Sequence, residues 1–135
     1  GLEGKTRPIH RDHGMANVQW GRGTSCCQAN VLGQDTVLQE TSQGSLVRTG
    51  LAEREFIDAF RITTSSVWEV SRDGSVHMLN LVEGEEARIT SPCGAFAPFT
   101  VHYAQTFIVP EAAGAYCVES PMGQTIRVVL ARVRG

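Results

Sequence analysis

From Phe56 onward the chain runs in short apolar stretches that alternate with polar residues, broken by turn residues at intervals of roughly 8–12 positions. That texture predicts an all-β sandwich or barrel. Phe56 to Thr64 places Phe56, Asp58, Phe60 and Ile62 on one face, and Ser66 to Ser71 places Trp68 and Val70 together. Asp73–Gly74 reads as a hairpin turn, because glycine takes a positive φ without steric cost. Further strands are predicted at Val76 to Val82, Ala87 to Thr90, 99–109 and 115–119, with turns at Glu83–Gly84–Glu85 and at Pro110 to Gly114. Thr125 to Val133 closes the chain with Ile126, Val128 and Leu130 on one face and Val129, Ala131 and Val133 on the other. Apolar on both sides, it suits a central strand or one at a subunit contact.

The stretch 1–50 reads differently. It is rich in Gly, Gln, Ser and Thr, with few large apolar residues. It is expected to be an arm of loops and short strands, so the division is 1–50 arm and 51–135 β-domain. Helical periodicity is thin; only Leu51 to Asp58 could make two turns before the first strand. No internal repeat or low-complexity tract occurs.

Composition narrows the classes. At 135 residues the chain holds one domain's worth of core. Leu, Ile, Val and Phe fill 33 positions, enough to argue against disorder. No run of apolar residues approaches membrane-spanning length. The net charge of −2 excludes a general polyanion binder, so neither nucleic acid nor membrane is an expected partner. The first residue is Gly and no signal-peptide pattern follows, so a processed chain or an expressed fragment is expected. Cys26, Cys27, Cys93 and Cys117 fit no familiar zinc or disulfide spacing, and reduced, mostly buried thiols in a cytoplasmic protein are the expectation.

The segment FTVHYAQTFIVPEAAGAYCVE (99–119) carries Tyr103, Ala104, Thr106, Phe107, Ile108, Val109, Pro110, Ala112, Gly114 and Tyr116 in the pattern Tyr-Ala-Glu-Thr-Phe-(Ile/Val)-(Ile/Val)-Pro-Ala-Ala-x-Gly-x-Tyr. Gln105 replaces the acid and Glu111 an alanine. The segment resembles the last-domain signature of the phosphomannose isomerases and their cupin relatives. The stretch LNLVEGEEARI (79–89), read as a hairpin, is similar to a turn shared by many cupins. The resemblance implies a cupin-type double-stranded β-helix, or jelly roll, preceded by an extended N-terminal arm. In physical terms, Pro110 ends a strand and Gly114 lets the backbone turn into the other sheet. A weaker likeness lies at Leu46–Val47–Arg48–Thr49–Gly50–Leu51. In the resembled isomerases a similar stretch brings an arginine to the sugar phosphate, and the resemblance makes Arg48 the candidate catalytic residue. Guanidinium grips phosphate in two-pronged fashion. The alternative for Arg48 is a solvated or locally paired loop arginine.

A metal-dependent cupin carries His-x-His and a Glu before the Gly-Glu turn and a further His after the proline corner. Residues 65–72 contain no histidine, and Ala115 and Tyr116 stand after the corner. No metal ligand is therefore assigned, and no cofactor is expected in this segment; the resemblance puts zinc in another part of the parent enzyme. His10 and His13, flanking Asp12, could ligate a metal only if a tight turn brought them together. His77 shares parity with Leu79 and Leu81, as a core or an outward histidine. His102 and Cys93 have no partner for catalysis.

Two functions follow. One is the carboxy-terminal domain of a mannose-6-phosphate isomerase-like protein, mainly structural or substrate-supporting. There the resemblance implies mannose 6-phosphate/fructose 6-phosphate interconversion by the parent enzyme. The other is a metal-free cupin that binds a sugar or small ligand, or serves dimerisation, without catalysis. A sugar phosphate or small molecule is the expected ligand, and a homodimer the expected assembly.

Overall fold

The computed structural model describes Gly4 and residues 8–50, 55–71 and 73–134. The chain forms two compact units, Gly1–Leu32 and Gly33–Gly135. Among its described residues the first holds two short helices, α1 (Arg11–Asn17) and α2 (Thr24–Asn30), neither with a buried residue. That explains why no 3.6-residue apolar period marks them: a helix with no buried face needs none. Their turns are held locally instead. Asn17 Nδ2 donates to the His13 carbonyl at 2.8 Å and Asn30 Nδ2 to the Cys26 carbonyl at 3.0 Å.

Among its described residues the second unit holds ten strands: β1 (Thr36–Thr41), β2 (Gly44–Arg48), β3 (Ile57–Thr64), β4 (Val67–Val70), β5 (His77–Glu83), β6 (Glu86–Thr90), β7 (Phe99–His102), β8 (Thr106–Val109), β9 (Tyr116–Glu119) and β10 (Ile126–Val133). Six form one sheet in the order β1-β2-β3-β10-β5-β8, and four form the other in the order β4-β9-β6-β7. All pairings are antiparallel. From β3 on, the chain changes sheet at every connection except β6 to β7. Two antiparallel sheets wound in this way make a jelly roll.

This winding corrects two sequence readings. Asp73–Gly74 and Glu83–Gly84–Glu85 are turns, but neither closes a hairpin; each carries the chain from one sheet to the other. Alternation alone does not separate a hairpin from a sheet crossing, since both put every second residue into the core. The segment 99–109 is likewise two strands on different sheets, broken where Ala104 adopts φ +64°. Pro110 to Gly114 is a corner between β8 and β9, with a 3-10 turn at Glu111–Ala113 and Gly114 at φ +71°. The β1–β2 pair extends the larger sheet, so residues 36–48 belong to the β-unit rather than to an arm. Of the possible helix Leu51 to Asp58, residues 51–54 lie outside the described ones, and Ile57 and Asp58 are strand.

The core fills the space between the sheets in cross-strand rows. Phe60, Leu130 and Leu79 pair across β3, β10 and β5, as do Ile62, Val128 and Leu81. Trp68, Val118, Ile89 and Ala87 face them from the smaller sheet, and all are buried. β10 lies between β3 and β5, which accounts for its two apolar faces by central placement. No described helix is long and apolar enough to cross a membrane.

Gly84 and Gly74 separate two requirements. Both have positive φ, +101° and +80°. A Cβ at Gly84 would stand 2.6 Å from Ile126 Cγ2, whereas one at Gly74 meets nothing within 4 Å. Gly84→Ala is expected to lower the urea midpoint more than Gly74→Ala. The additional loss is about 1–3 kcal/mol, because only the first overpacks the core.

Candidate functional site

The apolar rows stop at one end of the larger sheet. There the inward positions of β3, β10 and β5 are Asp58, Arg132 and His77, which pair directly across the sheet. Asp58 and His77 are each 5% exposed. Buried charge persists only when paired and hydrogen-bonded, and each of these groups is. Arg48 Nη2 and Arg134 Nη2 both donate to Asp58 Oδ1 at 2.7 Å, and Arg132 Nη2 stands 3.6 Å from Oδ2. Arg132 Nη1 also donates to Asp73, which lies in the β4–β5 crossing. His77 Nε2 lies 2.9 Å from Asp73 Oδ1, and its Nδ1 lies 2.9 Å from the Tyr116 hydroxyl on the opposite sheet. One chain of contacts thus runs from Arg48 through Asp58, Arg132, Asp73 and His77 to Tyr116, tying the two sheets together.

The protonation pattern follows from the partners. Burial is the largest influence on Asp58 and pushes its carboxyl up. Hydrogen bonds from Arg134 and Arg48, with their charges, outweigh it and hold Asp58 below the usual 3.8. Asp73 is likewise lowered: burial opposes, but hydrogen bonds from Arg132 and His77 prevail. Tyr116 is pushed far up by burial and by the Asp73 charge, so it remains a phenol. An ionised Asp73 only accepts, which places a proton on His77 Nε2 and, with the imidazole neutral, makes Nδ1 the acceptor of the Tyr116 O–H. Arg132 Nε is buried without an acceptor among the described residues. The guanidinium carbon lies 4.9 Å from the Phe60 ring centroid, a cation–π contact that offsets part of that cost.

Beside this network the sheets enclose a cavity of about 220 Å3. Leu46, Phe60, Ile62, Trp68, Val70 and Leu130 supply its apolar lining, and Gln39, Ser71, Asp73, His77 and Arg132 its polar lining. These donors do not fit a divalent cation. The single imidazole has both nitrogens in hydrogen bonds, and the Asp73 carboxylate is held by a guanidinium. Trp68 and Val70 occupy the inward positions of β4, and Tyr116 follows the corner. Among the described residues, no three His, Cys, Asp or Glu side chains converge as metal ligands.

Arg48, the candidate taken from the resemblance, ends β2 with its guanidinium on Asp58 and does not line this cavity. His10 and His13 are exposed on the first unit, their rings 5.9 Å apart. His102 is exposed on β7, where its N–H donates to Gln105 Oε1. The expectation of mostly buried thiols is not met, because the cysteines fall outside the packed rows. Cys27 and Cys93 are exposed, Cys26 and Cys117 half-buried, and all four are free. A hydrogen bond to the Ser91 hydroxyl pulls the Cys93 thiol down; burial pushes Cys117 up.

Sequence reasoning singled out His77 but missed Asp58, Asp73, Arg132 and Tyr116 as a set. A signal was present. Asp58 sits in phase with Phe60 and Ile62, and Arg132 in phase with Val128 and Leu130. A charged residue on an apolar face demands a partner.

Two outcomes test the network. Asp58→Ala removes the buried carboxylate on which Arg48, Arg132 and Arg134 converge and is expected to cost about 3–5 kcal/mol in chemical denaturation; Tyr116→Phe, which removes one buried hydrogen-bond partner, about 1–3 kcal/mol. With both carboxylates depressed, the folded state binds fewer protons than the unfolded chain across the range between their lowered folded-state values and about pH 4–5. Stability is therefore complete above about pH 4–5 and is lost as pH falls through the folded-state values. A urea midpoint that stays flat down to pH 2 contradicts this.

Comparison with known proteins places the architecture. No family model matches the chain, and no curated protein matches it. Solved structures do. The mannose 6-phosphate isomerase from Bacillus subtilis superposes with a TM-score of 0.71 at 9% identity, over 98% of this chain and 37% of that one. This chain therefore spans little more than a third of the isomerase's length. The Cnp3 cupin domain of Schizosaccharomyces pombe gives 0.54 at 13% identity, over 74% of this chain and 69% of that one. A cupin-2 domain from Rhodospirillum rubrum gives 0.58 at 8% identity, over 76% and 70%. At these identities the likeness establishes the fold: the β-unit is a cupin jelly roll.

Proposed function

We propose that this domain is a cupin that binds a small molecule between its sheets without a metal ion and without reaction chemistry. The observation that carries this reading is the cavity itself, lined by apolar side chains together with a few fixed polar groups. Its size, about 220 Å3, lies below the ~300–1,000 Å3 of sites for drug-sized ligands and suits a single ring. These polar groups are already braced by ion pairs and hydrogen bonds, so little ordering is needed when a ligand enters.

A second reading is supported by one observation, the superposition on the isomerase, which takes in nearly all of this chain. In that reading the domain is the carboxy-terminal part of a mannose-6-phosphate isomerase-like enzyme. It supports a catalytic, zinc-bearing part elsewhere and offers Arg48 toward the sugar phosphate. Against that role, Arg48 is committed to Asp58.

The two readings part on measurement. The first expects ring-sized compounds to shift backbone amide signals around Leu46, Ile62, Trp68 and Arg132, without aldose–ketose turnover. Stoichiometric zinc together with mannose 6-phosphate turnover overturns it in favour of the second.

A further inference from the structure

Among the described residues, those with charge that line the cavity are Arg132, Asp73 and Glu69. Asp73 is 22% and Arg132 31% exposed in their side chains. The cation is not free to receive a guest anion. One of its terminal nitrogens donates to Asp73, and the other stands 3.6 Å from Asp58. Arg48 and Arg134, the neighbouring cations of the network, both donate to Asp58. An anionic group entering the cavity therefore meets a guanidinium shared by two carboxylates, and it lies against Asp73 itself. Like charges at such range repel in a partly desolvated site.

Neutral acceptors face no such opposition. Arg132 Nη2 makes no hydrogen bond to a described residue, since 3.6 Å is beyond bonding range, and it is not among the buried unpartnered atoms. Its N–H groups remain for a hydroxyl or carbonyl oxygen. Ser71 and Gln39 add polar groups to the lining. Leu38, Leu46, Trp68 and Val70 in the same lining supply carbon surface for a ring.

From this we infer that the cavity takes an uncharged, ring-sized molecule bearing hydroxyl or carbonyl oxygens along one edge, and discriminates against its carboxylated or phosphorylated counterpart. The inference rests on the proposed ligand-binding reading and names its ligand class. It also runs opposite to what a sugar-phosphate site requires.

The experiment compares two probes of similar size, trans-cyclohexane-1,2-diol and cyclohexanecarboxylate. Titration into the full chain is followed by Trp68 fluorescence in a Trp20→Phe background, which leaves the cavity tryptophan as the sole reporter. The expected result is diol binding with the carboxylate at least about tenfold weaker. Leu46→Phe, which fills the cavity from β2, should abolish the diol response. Asp73→Asn should raise carboxylate affinity relative to diol affinity, because it removes the nearest like charge. Carboxylate binding equal to or tighter than the diol, and lost in Leu46→Phe, overturns the uncharged class while leaving the cavity as a site. No response to either probe overturns both.

Discussion

Asp58 sets the terms for the rest of the β-unit. It is a carboxylate on the inner face of a sheet, nearly without solvent, and such a group is tolerable only while cations hold it. Three arginines from β2, β10 and the residue just past β10 surround it. Arg132 then reaches across to Asp73, and Asp73 to His77, whose second nitrogen finds Tyr116 on the facing sheet. Through these links one buried charge fixes how the mouth of the jelly roll is closed and which groups border its cavity.

This arrangement gives the domain's chemistry a particular character. In a metal-dependent cupin, inward donors converge on an ion. Here the inward groups are held largely by one another, with Arg132 Nε the exception among the described residues. A network of that kind is rigid. The resemblance of 99–119 to an isomerase signature is compatible with this. The matched residues build a corner: Pro110 ends β8, Gly114 turns the chain, and Tyr116 re-enters in β9 as the anchor for His77.

Most of the strands were legible because one face of each is buried, and burial writes a period of two into the residues. Thus β3 and β10 are evident from Phe60, Ile62, Val128 and Leu130 alone. The pairing was not legible. Gly84 looks the same whether it turns a hairpin or a sheet crossing, and only the strand order of the two sheets tells which. The short helices α1 and α2 bury nothing, so no pattern betrays them. Of the site, His77 was visible from its parity with Leu79 and Leu81, but its partners come from β9 and the β4–β5 crossing and are distant in sequence or masked as turn residues. Arg48 was singled out for phosphate, yet its partner lies ten positions away, at an in-phase acid that already called for a cation.

The most direct measurement is an atomic-resolution crystal structure of the full chain grown at neutral pH with a divalent cation in the solution. The account predicts the Arg132 guanidinium between the Asp58 and Asp73 carboxylates, with the His77 ring bonded on both sides. An Arg132 side chain swung out to solvent, with the cation seated on Asp58, Asp73 or His77, contradicts it.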